Sequence, residues 1–258
     1  MEPWRTAIVD ARDGQIRIRG NDVTALMTER TFTDTIFLLH RSRLPTPQER
    51  RMLDAILCGV ADHGSGAPSC ATARLAISGN RASVSAAVAA GILAVGDEHG
   101  GAGSGCMEMI RTGVERARRD NISLEESAAR IVGEHRKIGK RVPGLGHRVH
   151  TNDPRTPVLF ELARQNGLSG DGIRFMQAIH AEVVKQVKPM TMNVDGSLAA
   201  VLYDMGFEPV FARLLFIIGR SAGLTAEVME ELERERPMRI RVPVTYDGDG
   251  GNTPSESE

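Results

Sequence analysis

The amino-acid sequence predicts an all-α fold with one short β-hairpin near its N-terminal end. Aromatic residues make up only 4% of the chain, fewer than a β-sandwich or a β-barrel favours. Alanine, leucine, methionine and arginine, which are strong helix formers, are plentiful. Apolar runs of helix length recur between breaks that contain glycine, serine and proline, without a fixed repeat period. The pattern therefore favours a multi-helical globular protein over a solenoid.

The 258 residues are enough for one large domain or two modest ones. A net charge of −1, from 32 basic and 33 acidic residues, argues against a nucleic-acid groove or an anionic membrane surface as partner. Residues 1–5 lack the apolar segment of a signal peptide, and the longest apolar runs are interrupted, so we expect no membrane-spanning helix. Cys58, Cys70 and Cys106 show no CxxC spacing, which argues against zinc or disulfides and favours the cytoplasm.

A hairpin is expected from Thr6 to Arg19, because apolar residues flank the turn pair Asp13-Gly14. Asp22 can cap a short helix, and Thr46 followed by a proline marks another helix start. The alanine and glycine of segment 83–95 predict close helix packing at the centre of the molecule and a face suited to a large interface. Helices in this half are expected over 22–27, 33–44, 46–60, 70–76 and 83–95.

In the second half, helices are expected over 105–119, 124–138, 157–166, 171–187, 195–205, 209–222 and 225–235. Segment 139–157 is not expected to be helical, because prolines and glycines interrupt it. The tail 248–258 is rich in Gly, Ser, Pro and Glu, so we expect it to be disordered. We predict a large helical domain formed by 1–109 and 216–247, and a small helical domain formed by 110–215.

Polar residues that could perform chemistry fall in the breaks between the expected helices. His99 and His147 each lie beside glycines, which let a ligand approach the backbone closely. Together with Asp195 they would make a general acid–base set. Arg155 and Arg220, near helix ends, could each bind a carboxylate through two parallel hydrogen bonds.

Taken singly, each of these residues has a plainer interpretation. Asp195 alone is more often an N-cap, and Arg220 alone is more often a partner of a helix C-terminus. His147 and His150 could chelate a metal only if their segment were helical, and its glycines and proline argue against that, so no metal is expected. The pair of glycines in Gly144–Gly146 is a weak phosphate-loop signal, because no GxGxxG pattern follows.

Taken together, the motifs resemble the citrate synthase superfamily. The run from Pro143 to Arg155, PGLGHRVH followed by DPR, resembles the signature loop of that family closely. His99-Gly100-Gly101, Asn193-Val194-Asp195 and Gly219-Arg220-Ser221 occur in the family's order and at about its spacing. The resemblance covers nearly the whole chain, from about Ile16 to Tyr246. With Asp62-His63-Gly64, the chain is most similar to short citryl-CoA lyases and to the lyase module that ends ATP-citrate lyase.

The resemblance implies a role for each catalytic candidate in the cleavage of citryl-CoA to acetyl-CoA and oxaloacetate. His147 would accept the proton of the tertiary hydroxyl, and His99 would hydrogen-bond the thioester oxygen where negative charge develops. Asp195 would return a proton to the methylene carbon. The CoA thioester is the substrate, and no separate cofactor is expected.

The resemblance also implies which residues would bind the substrate. Arg155 and Arg220 would hold carboxylates, and Arg236 would do so from a neighbouring subunit, so we expect a homodimer or a higher homo-oligomer. The CoA moiety would meet the backbone of Gly144, Leu145 and Gly146, with Arg148 near its phosphates.

One position departs from the family pattern and leaves alternatives open. Citrate synthases usually have a substrate-binding histidine where this chain has Val60. That change favours a lyase over an ordinary synthase, and it puts the exact acyl substrate in doubt. The alternatives are a condensing enzyme, a lyase for a related 3-hydroxy-acyl-CoA, or a non-catalytic protein that binds CoA metabolites.

Overall fold

The computed structural model describes residues 2–146 and 152–248, and the predicted all-α class is confirmed. The described residues form a small antiparallel sheet and eleven helices. In chain order the elements are β1 (Val9–Arg12), β2 (Gln15–Ile18), β3 (Asn21–Asp22), α1 (Val23–Glu29), α2 (Phe32–Arg41), α3 (Pro47–Val60), α4 (Pro68–Gly79), α5 (Val84–Leu93), α6 (Ala102–Asp120), α7 (Leu124–Lys137), α8 (Arg155–Gln165), α9 (Asp171–Gln186), α10 (Val194–Asp204) and α11 (Pro209–Arg234).

The N-terminal sheet follows the predicted hairpin. Strands β1 and β2 pair in antiparallel register, with Val9 opposite Ile18, and β3 adds at the free edge of β2. Both residues of the turn pair Asp13-Gly14 have positive φ, at 53° and 72°, which a tight two-residue hairpin turn requires. The turn chemistry therefore predicted this element correctly.

The helix starts follow the capping signals. The Asp22 side chain accepts a hydrogen bond from the backbone N–H of Thr24, and Thr46 forms a reciprocal capping box with Glu49. Helix α2 begins at Phe32, one residue earlier than expected, because Thr31 forms a second capping box there.

Helix α11 corrects one prediction. The chain was expected to form two helices over 209–222 and 225–235, whereas the structure has one continuous helix. Gly219 and Gly223 do not break it, because they lie where neighbouring elements approach. A Cβ at Gly219 would come within 2.6 Å of the Val60 side chain, and one at Gly223 would overlap the carbonyl of Ala61. The glycines serve packing and not helix termination.

Helix α11 also qualifies the membrane expectation. It is 26 residues long and, by length and composition alone, apolar enough to cross a bilayer. Half of its apolar window is nevertheless buried inside the fold, where α11 packs against α3, α4, α5 and α6. Such burial is typical of the core helix of a globular protein.

The apolar interior has two parts. The larger is built from α2, α3 and α6 to α11 and includes Phe37, Phe175 and Phe216. The smaller lies between α4, α5 and α11. The larger core crosses the boundaries that we drew between a large and a small domain, so that division stays a prediction.

Helix α5 corresponds to the Ala/Gly-rich segment that we expected at the centre of the molecule, and this expectation is wrong for the single chain. Among its ten residues only Ala87 and Gly91 are buried, while Leu93 is 84% exposed. The close packing itself is present, because a Cβ at Gly91 would come within 2.9 Å of the carbonyl of Ser69. The outer face of α5 is apolar and uncovered.

Candidate active site

The two arginines predicted to bind carboxylates converge on the C-terminal end of α3. Arg220 donates from Nε to the carbonyl of Val60 at 3.1 Å, and Arg155 donates from Nη1 to the carbonyl of Gly59 at 3.0 Å. The last carbonyls of a helix have no partner within it and carry its negative dipole end, so they attract cations. Val60, where the family pattern has a histidine, contributes a backbone oxygen here.

Arg220 was expected at a helix end and instead lies in the middle of α11, with 2% of its surface exposed. Its Nη1 donates to Ser69 Oγ at 3.0 Å, and its guanidinium stacks over the ring of Phe216 with Cζ 4.9 Å from the ring centroid. No carboxylate of residues 2–146 or 152–248 forms an ion pair with it. A buried cation without an ionic partner is costly, so its environment suits an anionic ligand.

His99 is linked to Arg220 through Ser69. Its Nε2 lies 2.9 Å from Ser69 Oγ and accepts the backbone N–H of Ser69 at 3.3 Å. An Nε2 that accepts a backbone N–H cannot carry a proton, so neutral His99 holds its proton on Nδ1. Ser69 Oγ in turn accepts from Arg220 and donates to His99. The hydrogen-bond network therefore assigns the tautomer of the catalytic candidate.

The backbone around His99 is a tight turn. The N–H groups of His99 and Gly101 both donate to the carbonyl of Gly96, at 3.0 and 2.9 Å. Gly100 has a φ of +71°, and a Cβ there would overlap the ring of Phe216. Arg213 of α11 donates to the carbonyl of Gly101 at 3.4 Å, and so fixes the turn from the other side. Glycine is required at position 100 for both space and conformation.

Replacing Ser69 by alanine should lower turnover. The change removes the hydroxyl that connects His99 to Arg220, and a hydrogen bond to a charged group contributes about 1.5–3 kcal/mol, so we expect roughly a tenfold to hundredfold loss in kcat. Steady-state kinetics would measure it. Ser78→Ala is a matched control, since Ser78 is buried on the same helix and its Oγ has no partner among the described residues. Equal losses in the two variants would refute the role of Ser69.

Asp195 lies in the first turn of α10. It is not the N-cap of that helix, because this role belongs to Asn193, whose side chain accepts a hydrogen bond from the N–H of Gly196. The Oδ1 atom of Asp195 is buried and has no hydrogen-bond partner among the described residues. Burial raises the pKa of Asp195 to about 6, against the opposing effect of Arg155 and with reinforcement from Asp153. A carboxyl group with this pKa can exchange a proton near neutral pH.

The predicted CoA-binding segment, Gly144–Gly146, is hydrogen-bonded to the residues just before α10. Gly146 donates its N–H to the carbonyl of Thr191 at 2.7 Å, and Asn193 donates to the carbonyls of Gly144 and Gly146 at 3.1 and 2.8 Å. Leu145 forms an isolated antiparallel bridge with Met192. A Cβ at Gly144 would come within 2.7 Å of the Cα of Gly196. The segment Gly144–Gly146 therefore lies directly beside the turn that holds Asp195.

Arg155 has a carboxylate partner within the chain. Its Nε and Nη2 donate to Oδ1 and Oδ2 of Asp153 at 2.9 and 2.8 Å, and Asp153 is completely buried. Arg155 thus lies near Arg220 and Asp195, and its guanidinium already binds a carboxylate of the protein. The substrate-binding role of Arg155 stays a prediction.

Of the predicted residues that have not yet been placed, the structure describes only Arg236. His147 and Arg148, together with His150, lie outside the described residues. Arg236 is exposed in the segment after α11. Within the described ranges it makes no hydrogen bond or ion pair with the other site residues. That position is compatible with the expected contribution to a neighbouring subunit.

Three potential metal ligands do come together next to the site. Ligand atoms of Asp62, Cys70 and Glu227 lie within 4.8 Å of one another. Glu227, however, is ion-paired with Arg74, and Cys70 Sγ lies 3.9 Å from Nη1 of Arg220. Burial raises the pKa of the Cys70 thiol, and Asp62 reinforces the effect. Two adjacent guanidinium groups and a protonated thiol disfavour a cation at this position.

Sequence reasoning missed Ser69, Asp153 and Phe216 as parts of the site. The sequence marks Asp153 only as part of the DPR run. Ser69 and Phe216 carry no sequence signal of their own, because a buried serine and a core phenylalanine occur in any helical protein. Only the approach of α4 to α11 makes Ser69 a neighbour of Arg220, whereas Phe216 lies one turn before Arg220 on α11 itself.

The sequence profile of the family described as "Citrate synthase, C-terminal domain" matches residues 45–241. Citrate synthase 2 of Bacillus subtilis is 28% identical over 205 residues, which are 78% of this chain and 52% of the relative. The citrate synthase of Deinococcus radiodurans is 28% identical over 228 residues, which are 85% of this chain and 57% of the relative. The chain spans about half the length of these curated relatives.

Solved structures extend the comparison. Citryl-CoA lyase from Hydrogenobacter thermophilus superimposes with a TM-score of 0.87 at 36% identity, and the match covers 96% of each chain. ATP citrate lyase from Methanosaeta concilii, solved in complex with (3S)-citryl-CoA, superimposes with a TM-score of 0.78 at 20% identity. That match covers 96% of this chain and 43% of the larger one, and it bears on the fold alone.

Proposed function

Because the chain belongs to the citrate synthase family, we propose that it is an enzyme that cleaves citryl-CoA to acetyl-CoA and oxaloacetate. The observation that carries the proposal is Asp195, a carboxyl group with a pKa of about 6 beside two guanidinium groups at the end of α3. The likeness of the whole chain to the Hydrogenobacter lyase supports the direction of the reaction.

The proposed reaction is a retro-aldol cleavage that involves two proton transfers and one hydrogen bond to the developing enolate. His147 takes the proton of the tertiary hydroxyl as the C–C bond breaks, and the hydroxyl carbon becomes the ketone of oxaloacetate. The electron pair of the broken bond moves into the thioester and forms the enolate of acetyl-CoA. His99, with its proton on Nδ1, donates a hydrogen bond to the enolate oxygen, and protonated Asp195 delivers a proton to the carbon. No resident cofactor or metal is needed for these transfers.

The binding of substrate carboxylates is proposed to centre on Arg220. It is buried, has no carboxylate partner in the described part of the chain, and is fixed by Val60, Ser69 and Phe216. A cation that is pre-oriented and desolvated in this way interacts strongly with an arriving anion. Arg155, on the neighbouring carbonyl of Gly59, would contribute as well, and Arg236 would contribute from a second subunit.

A direct assay tests the proposal. Purified protein is mixed with citryl-CoA, and release of oxaloacetate is followed through NADH oxidation by malate dehydrogenase. We expect turnover that depends on protein concentration and disappears in Asp195→Asn. No oxaloacetate above the uncatalysed background would refute the lyase.

A second candidate function is condensation, favoured by the curated relatives that are named citrate synthase. The same residues would act in reverse, with ionised Asp195 as the base and protonated His147 as the acid. Release of free thiol from acetyl-CoA plus oxaloacetate distinguishes the two. A lyase should hydrolyse the thioester of citryl-CoA poorly, whereas a synthase should release CoA as fast as it condenses.

The kcat/KM for the proposed cleavage should fall as the pH rises through about 6. Asp195 must be protonated to act as the acid, and its pKa of about 6 leaves roughly a tenth of it protonated at pH 7, against about a thousandth at its usual value. We therefore expect kcat/KM for citryl-CoA to fall tenfold per pH unit above that point. The rate of condensation should rise over the same pH range, because ionised Asp195 would be its base. A cleavage profile that is flat between pH 5.5 and 7.5 would contradict the acid role.

We propose that the active form is at least a dimer, built through the uncovered apolar face of α5. Val84 and Leu93 are 49% and 84% exposed on a helix without a single charged residue. Leu93→Lys should give a monomer by light scattering, with loss of activity because Arg236 could no longer reach a partner. Val184→Lys, on the exposed side of α9, is the control. A fully active monomer would contradict the proposal.

A further inference from the structure

We infer that Asp153 is a positioning residue that holds Arg155 in place and keeps a negative charge beside Asp195. The inference rests on the proposed function, because it assigns Asp153 a part in the same reaction. Asp153 lies in the loop before α8 and is completely buried. It touches no reacting atom in the proposed scheme and acts only through its two neighbours.

Four hydrogen bonds converge on the Asp153 carboxylate. Oδ1 accepts the backbone N–H and the Nε of Arg155 at 3.1 and 2.9 Å. Oδ2 accepts Nη2 of Arg155 at 2.8 Å and the backbone N–H of Val194 at 3.0 Å. Burial alone would raise the pKa of Asp153, but the hydrogen bonds from Arg155 and Val194 hold it below its usual value. The Asp153 carboxyl group is therefore ionised at every pH at which the enzyme would be active.

The first consequence is the orientation of Arg155. With two nitrogens on Asp153 and Nη1 on the carbonyl of Gly59, its guanidinium is held from the loop on one side and from α3 on the other. A guanidinium group held in this way has lost its rotamer freedom before the substrate binds. Substrate binding therefore carries a smaller entropic cost. Asp153 itself is tied to α10 through Val194, so Arg155 links α3 to α10 next to Asp195.

The second consequence concerns Asp195. The N–H of Val194 is a first-turn donor of α10, and such donors stabilise anions. Asp153 accepts this bond, and among the described residues the buried Oδ1 of Asp195 has no donor of its own. Asp153 therefore adds a negative charge near Asp195. It also occupies the N–H of Val194, a donor that could otherwise have stabilised the ionised form of Asp195.

The other groups that face Asp195 from the surrounding helices are few. Arg155 of α8 and Arg220 of α11 favour its ionised form. Cys106 of α6 is buried, which raises the pKa of its thiol, so it remains neutral. Met176 of α9 is apolar and lies within 3.1 Å of a Cβ built at Gly196. Asp153 is thus the one described carboxylate that opposes ionisation of Asp195 there.

The test compares Asp153→Asn with the wild type. The amide removes the charge while it can still accept a hydrogen bond. We expect the pH above which citryl-CoA cleavage declines to move down by about one unit. The same shift should appear in a ¹³C NMR titration of aspartate-labelled protein, with the Asp195 resonance identified by its absence in Asp195→Asn. An Asp195 titration identical to the wild type would overturn the inference.

Two further variants separate position from charge. Asp153→Glu keeps the charge but moves it, so we expect an unchanged pH profile and a KM for citryl-CoA raised about tenfold, as Arg155 is displaced. If Asp153→Asn does not fold, an unchanged KM in Asp153→Glu overturns the inference. Asp204→Asn is the matched control, since Asp204 is an aspartate that accepts N–H groups of Gly170, Gly172 and Ile173 near the far end of α10.

The control should lose stability without a change in the pH profile. A pH shift in Asp204→Asn as large as that in Asp153→Asn would also overturn the inference, because it would indicate a general loosening of α10. If the wild type does not cleave citryl-CoA, the proposed function fails, yet the NMR titration still decides the role of Asp153.

Discussion

Asp195→Asn should reduce citryl-CoA cleavage by about 1,000-fold or more while the fold is retained. General acid–base groups contribute typically 100- to 10,000-fold, and an amide cannot deliver a proton to the enolate carbon. Asp195 is half-buried, and its buried Oδ1 has no hydrogen-bond partner in the described structure, so ionisation of its carboxyl group is a cost to folding. We therefore expect the Tm of Asp195→Asn to be equal to or above that of the wild type. Coupled-assay kinetics and thermal unfolding would measure both effects.

The combination of lost activity and retained stability is the informative result. Asp204→Asn, at the other end of the same helix, should show the opposite pattern. It removes a carboxylate that caps the start of α9, and we expect a lower Tm with nearly normal turnover. If Asp195→Asn lost activity only in proportion to a loss of fold, the acid role of Asp195 would be contradicted.

Arg220→Lys should raise KM for citryl-CoA by about 100-fold. Lysine keeps the positive charge but lacks the planar fork, so it cannot reach the Val60 carbonyl and Ser69 Oγ while it also holds a carboxylate. The loss of one or two charge-assisted hydrogen bonds corresponds to about 1.5–3 kcal/mol each. Initial rates over a range of citryl-CoA concentrations give KM, and equilibrium binding of oxaloacetate gives an independent measure.

Arg74→Lys is the matched control for this change. Arg74 is likewise a buried arginine, on α4, and it is ion-paired with Glu227 and Glu231 of α11. Its replacement should lower the free energy of unfolding and leave KM within about twofold, because these carboxylates belong to the protein. An Arg220→Lys variant with wild-type KM would contradict the assignment of Arg220 as the substrate anchor.

Local chemistry made much of the fold predictable. The turn pair Asp13-Gly14 and the caps Asp22 and Thr46 act within a few residues, so the chain alone determines them. Helix continuity at Gly219 and Gly223 was mispredicted for the opposite reason. Whether a glycine ends a helix or admits a neighbour depends on α3, which is more than 150 residues away in sequence.

The candidate site divides in the same way. The motifs around His99, Asp195 and Arg220 could be identified from the sequence, because their residue types, order and spacing resemble those of the citrate synthase superfamily. The tautomer of His99 and the engaged fork of Arg155 were not predictable. They depend on Ser69 and Asp153, which acquire a function only through contacts with distant elements.

The sequence by itself determined the helical class, the positions of most helix starts, and the set of residue types that can exchange protons and bind carboxylates. Tertiary structure alone decided the electrostatic state of those residues. Burial raises the pKa of Asp195 to about 6 and strips water from Arg220, and Asp153 adds its negative charge at the start of α10. Proton affinity depends on solvent exclusion and on charges within a few ångströms, and neither exists until distant segments pack together.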